Sequence, residues 1–182
     1  MFVEGGASSK RAEVNSLNQL ETMAMRVSRT AWMTLREGVT WTVPFDAVDP
    51  TGTDDYFLFI RNDGPTPLAI TRISISTTVA GGLEVQAVTG DPSGGTAVTV
   101  VNRQVGNNKT PDTTIESGVN ITNLTDAGVI EFAELLAATQ HDLSLQDEPI
   151  VLVQNQEIAL LWTAATGILS GNVTLELMKE LS

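Results

Sequence analysis

From Val39 onward, apolar side chains recur at every second residue in short runs, and glycine, proline, asparagine or aspartate separates one run from the next. A period of two places successive side chains on opposite faces of an extended chain, so this text commits residues 38–182 to strands with one buried face. Val39, Trp41, Val43 and Phe45 open the series, with Thr40 and Thr42 on the other face. Tyr56-Phe57-Leu58-Phe59-Ile60 is a continuous β-prone run ending in the turn sequence Asn62-Asp63-Gly64-Pro65, which predicts a central strand. Between residues 68 and 77, Leu68 and Ile70 fall on one parity and Ile73 and Ile75 on the other. That switch predicts a β-bulge near Thr71-Arg72.

Leu83, Val85 and Ala87 alternate again, and a glycine-rich stretch over residues 89–95 leads to the run 97–101. The pattern predicts a hairpin with a long tip. Residues 102–118 are polar and turn-rich, and a connection of that length is expected to be a contact loop. Val119 and Ile121 mark a short strand, whereas Phe132, Leu135 and Leu136 fit a helical turn or a strand. Three further runs lie at residues 149–153, 158–162 and 173–177. About eight to ten short strands, with no alternation of strand and helix, predict an all-β fold, a β-sandwich or jelly roll.

Residues 1–37 read differently. No glycine or proline interrupts residues 7–37, and Leu17, Leu20, Ala24, Val27, Ala31 and Thr34 are spaced by threes and fours. This predicts an N-terminal α-helical arm, started by Ser16 with Gln19 as a capping box and stopped at Gly38. Over residues 17–37 the helix would be about 31 Å long. A lone helix of this size is marginal in water, so Leu17, Leu20, Met23, Met25, Val27, Trp32, Met33 and Leu35 need a surface to bury against. Three surfaces satisfy them: the chain's own sandwich, a self-associating bundle, or another protein. Arg26 and Arg29, with Lys10, Arg11 and Arg36, favour an acidic neighbour, including the body of a second copy.

Charge separates the two parts further. Residues 1–36 carry five basic against three acidic side chains, and residues 37–182 carry five against nineteen. An acidic body repels phosphate backbones, so nucleic acid is not an expected partner. The apolar runs are too short for a membrane-spanning helix, and the first residues show neither a basic nor an apolar signal region. The expectation is a protein made in the cytosol, without membrane attachment. No cysteine is present, which removes disulfides, thiolate metal sites and cysteine nucleophiles.

Reactive constellations are sparse. The single histidine, His141, stands beside Asp142 without a nucleophile-elbow sequence. Asp46, Asp49, Asp54 and Asp55 share one loop and offer the oxygen ligands calcium prefers, but their spacing is not that of an EF-hand, and a solvated acidic loop reads equally from it. Glu131 and Glu134 would share one helical face, whereas glycosidase carboxylates flank their sugar. Residues 90–95 lack the Lys-Ser/Thr of a phosphate-binding loop. Four Asn-x-Thr sequons, at Asn108, Asn120, Asn123 and Asn172, carry little information in a threonine-rich chain. The expectation is a protein that is not an enzyme and takes no cofactor.

Several stretches carry a resemblance. Tyr56-Phe57-Leu58-Phe59-Ile60-Arg61-Asn62, Ile73-Ser74-Ile75, Val88-Thr89-Gly90-Asp91-Pro92-Ser93-Gly94-Gly95-Thr96, Val101-Asn102-Arg103 and Gln154-Asn155-Gln156-Glu157-Ile158-Ala159-Leu160-Leu161-Trp162 together resemble small virion proteins of tailed bacteriophages. The matching text is made of strands and hairpin tips rather than reactive residues. The resemblance implies a capsid decoration or cement protein on the capsid surface, often a homotrimer, with the major capsid protein as partner. A tail or fibre module that binds host carbohydrate is the alternative, which needs Trp41, Trp162 or Tyr56 exposed to stack on sugars, whereas their alternating strand positions point to the core.

Overall fold

The alternation that starts at Val39 becomes a layered β-structure in the computed structural model, which describes residues 2–5, 10–14, 20–21 and 33–178. The strands are β1 (Phe2–Gly5), β2 (Lys10–Val14), β3 (Leu20–Glu21), β4 (Thr40–Val48), β5 (Asp55–Asn62), β6 (Leu68–Thr77) and β7 (Gly81–Thr89). They continue with β8 (Thr96–Ala97), β9 (Val101–Asn102), β10 (Thr113–Ile121), β11 (Thr125–Leu135), β12 (Gln140–Ser144), β13 (Ile150–Leu152), β14 (Glu157–Trp162) and β15 (Leu169–Leu177). Among the described residues no α-helix occurs.

Two large antiparallel sheets hold the body. One runs β11-β7-β14-β5-β10-β8, and the other runs β12-β6-β15-β4-β9, with β13 pairing β6 beside β12. The inward residues of both sheets form one core. Val43, Ile70, Ile73, Ile75, Val173 and Leu175 from the second sheet meet Leu58, Ile60, Val85, Ile158, Leu160 and Trp162 from the first. Phe45 and Phe57 meet edge to face across the layer, with ring centroids 5.4 Å apart. Each such side chain contributes about 1.5–3 kcal/mol on leaving water, which with no cysteine in the chain is the main source of stability.

Bulges set which residues face that core. Opposite β15, Arg72 pairs with Thr174 and Ile70 with Leu175, so Thr71 is the additional residue of β6. This is the bulge the parity switch predicts, and it leaves Leu68, Ile70, Ile73 and Ile75 all buried. A second bulge makes Phe57 the additional residue of β5 against β14, between the pairs Leu58–Leu160 and Tyr56–Leu161. Phe57 thereby joins the core, while Phe59 is buried in a separate cluster with Val88, Ile121 and Ala159.

Three expectations are corrected. β7 and β8 are not a hairpin, because β7 pairs with β11 and β14 while β8 pairs with β10, three strands away in the same sheet. Alternation fixes which face a strand buries, not which strand it pairs with. The polar stretch 102–118 is only partly loop: its end, from Thr113, belongs to β10, which pairs with β5, and the loop is confined to residues 103–112. The ambiguous residues around Phe132 are β11.

The helical arm is the third. Leu20–Glu21 pairs with β2, Met33–Glu37 is a single π-helical turn, and β1, β2 and β3 form a small antiparallel sheet of their own. Met33 is buried with Val39 and Trp41 inside the body, and the Val39 amide donates to the Met33 carbonyl at 3.4 Å, with Gly38 between them at a φ of 59°. Packing against the core has overridden helical spacing there. Leu17, Met23, Met25, Arg26, Val27, Arg29 and Trp32 lie outside the described residues.

Candidate interaction surface

The chain enters the body through a clamp. Trp41 donates its indole N–H to the Lys109 carbonyl at 2.8 Å, and the Asn102 amide donates to the carbonyls of Gly38 at 2.9 Å and Lys109 at 3.1 Å. The Lys109 ammonium donates to the Glu37 carbonyl, and the Arg103 guanidinium to Thr174 Oγ1 at 3.2 Å. Residues 103–112, the loop part of the stretch 102–118 expected to make contacts, thus fasten the start of β4. Val105 projects from this loop into solvent, at 98% exposed.

The four aspartates of the calcium candidate do not converge. Asp55 is buried and accepts from the Thr51 and Gly52 amides at 3.0 and 2.6 Å, which makes it the closing residue of a turn. Asp46 accepts from Ser170 Oγ at 2.8 Å, while Asp49 and Asp54 are exposed. Among the described residues no three acidic or histidine side chains are placed to hold a metal ion.

His141 and Asp142 are adjacent in β12, so they point to opposite sides of the strand. His141 Nε2 accepts from the Leu136 amide at 2.9 Å, and Asp142 pairs with Arg72 on β6 at 2.8 Å. Hydrogen bonds from Arg72 and Ser74 hold the Asp142 carboxyl below the usual aspartate range. The two side chains are not coupled to each other. Glu131, half-buried, and Glu134, exposed, lie on β11, not on a helix.

Trp41 and Trp162 are buried, and Tyr56 donates its hydroxyl to Gln86 Oε1 at 2.6 Å. The predicted sugar-stacking aromatics therefore belong to the core and its polar margin.

What the sequence did not single out is the open side of the sandwich. There β11 ends the first sheet and β12 ends the second. Along β11, Val129, Ile130 and Phe132 are each about half exposed, and Leu136 just beyond it is 64% exposed. An open cleft between the two edges is lined by Glu131, Leu143, Ser144, Leu145, Asp147 and Glu148, three of them acidic and none basic. The Ile130-Glu131-Phe132 alternation was the available signal, but helical spacing to Leu135 and Leu136 obscured it.

No family model matches the chain, and no curated protein or solved structure matches it.

Proposed function

We propose that the chain is a non-catalytic virion structural protein, a capsid decoration or cement subunit of the tailed-bacteriophage type that binds the major capsid protein and associates with further copies of itself as a trimer. One observation carries the reading. When β12 and β13 are taken as one interrupted strand and residues 96–121 as an insertion, eight strands remain, counted from β4. They lie in the orders 6-3-8-1 and 5-4-7-2 in the two sheets. This order supports a jelly roll, an architecture used by viral capsid and lectin domains.

Lectin domains share that architecture, but binding sugar needs an aromatic platform, and Trp41 and Trp162 are buried. The carbohydrate-binding tail module is therefore the weaker reading. In the cement reading, residues 1–32 reach the shell or a neighbouring copy, and affinity comes from contact area rather than a reactive group. Met33 takes no part in docking because the body buries it.

The test is to mix purified protein with particles that lack it, sediment them, and locate the protein by immunogold labelling. Label over the head, with co-sedimentation lost when residues 1–32 are removed, is the expected result. Label at the tail tip together with a glycan-array signal would replace this reading with receptor recognition.

A further inference from the structure

We propose that the open side of the sandwich, between the edge strands β11 and β12, is the docking site for the basic segment 22–32 of a second copy, laid along β11 as an added strand. The acceptor has the features strand addition requires. Among the described residues β11 pairs only with β7, so the backbone donors and acceptors of its outer side have no strand beside them. Half-exposed Val129, Ile130 and Phe132 supply apolar contact along it, and Glu131, Asp147 and Glu148 make the adjoining cleft acidic.

Charge chooses the occupant. Two β11 edges paired antiparallel about a two-fold at Ile130 would set Asp126 of each copy opposite Glu134 of the other and bring the two Glu131 residues close together, which like-charge repulsion opposes. Residues 22–32 contain Arg26 and Arg29 and no acid, in a chain that otherwise carries a large acidic excess. The segment that carries helical spacing also alternates when read as a strand, with Met23, Met25, Val27 and Arg29 on one parity and Ala24, Arg26 and Ser28 on the other.

Geometry places donor and acceptor on different copies. Met33, where the segment joins the body, packs with Val39 and Trp41 beside β9, the edge of the second sheet opposite β12. A segment that leaves one edge and is received at the other makes head-to-tail contacts, which close into a ring when the rotation permits. This deepens the self-association in the proposed function but needs no shell, so a test on purified protein fails or succeeds independently of capsid binding.

Because the chain has no cysteine, single ones report position cleanly. Full-length Ala24→Cys and Ser144→Cys chains carrying tags of different size are mixed and oxidised, with Val105→Cys as the control acceptor. The expected product is a mixed-chain Ala24–Ser144 cross-link, with yield about tenfold above the control, the ratio that about 1.4 kcal/mol of preference gives. Arg26→Glu with Arg29→Glu should lower the yield about tenfold, and adding Glu131→Lys with Glu148→Lys on the acceptor should restore it. The proposal is overturned by mixed-chain yield no higher than the control or by yield indifferent to the charge reversals.

Discussion

The side-chain amide of Asn62 donates to the carbonyl of Leu152 at 2.9 Å, joining the end of β5 in one sheet to the end of β13 in the other. The same nitrogen donates to the Thr66 carbonyl at 3.0 Å, and the amide oxygen accepts from the Gly64 N–H at 3.1 Å. Asn62 is 1% exposed, so these partners have no water to turn to. Asn62→Ala should cost about 2–3 kcal/mol in urea unfolding, since two carbonyls lose their donor together. Asn62→Asp should cost more at neutral pH, because a carboxylate would then face both carbonyls. A loss indistinguishable from zero for both variants would show that the tie between the sheets is not structural.

Gly171 tests the second sheet in the same way. It lies in β15 between β4 and β6, and a Cβ there would run into the carbonyl oxygen of Ser74 and crowd the ring of Phe45. Neither neighbour is the loose end of a flexible side chain. Gly171→Ala should therefore lower stability by about 1–3 kcal/mol, read as a fall in Tm with the strand signal of the folded state preserved.

These two residues also show what the sequence disclosed and what it withheld. The turn at residues 62–65, the bulge at Thr71 and the core set of β4, β6, β14 and β15 follow from alternation and turn chemistry, which act within a few residues. Pairing partners do not. The β7–β8 hairpin was expected because the two runs are neighbours in sequence, yet three strands separate them. β10 was hidden because Thr113, Thr114, Glu116, Ser117 and Asn120 dilute its apolar pattern. β11 was ambiguous because an edge strand with exposed apolar side chains obeys neither a buried period of two nor a helical stripe. The candidate docking side consists of such edges, so it was the least legible part of the molecule.

Two carboxyl groups should give opposite pH signatures. Asp142 is held below its ordinary value of 3.8, first by the hydrogen bond from Arg72 and then by that from Ser74. A depressed folded-state pKa contributes stability above the unfolded value, and that stability is lost as pH falls through the folded one. Asp142→Asn should therefore lower Tm at neutral pH, with the gap from the native chain closing once pH drops well below 3.8.

Glu157 is pushed above its ordinary value of 4.5, mainly by burial, against the hydrogen bond from the Gly90 amide and the nearby Arg61. Its folded-state pKa is raised, so its contribution is full below 4.5 and is lost as pH rises through the raised value. Glutamine keeps an acceptor for the Gly90 amide, which donates to Glu157 Oε1 at 2.7 Å. Glu157→Gln should thus gain stability relative to the native chain as pH rises from 4 to 7, the reverse of Asp142→Asn. Tm against pH for both variants decides it, and parallel curves would remove burial as the cause.

Methionines separate the body from the segment that leads into it. Met33 packs on Val39 and Trp41, with Val100 and Leu177 against the same cluster. Truncating it leaves a cavity beside an indole, so Met33→Ala should cost about 2–5 kcal/mol and shift tryptophan emission to the red. If residues 22–32 dock between copies, Met23→Ala with Met25→Ala should change unfolding of the isolated chain by less than about 0.5 kcal/mol while weakening self-association. Measuring both quantities on both variants assigns each methionine to folding or to assembly. A Met23/Met25 variant that unfolds as easily as Met33→Ala would place those side chains in the chain's own core, and the second copy would no longer be needed to bury them.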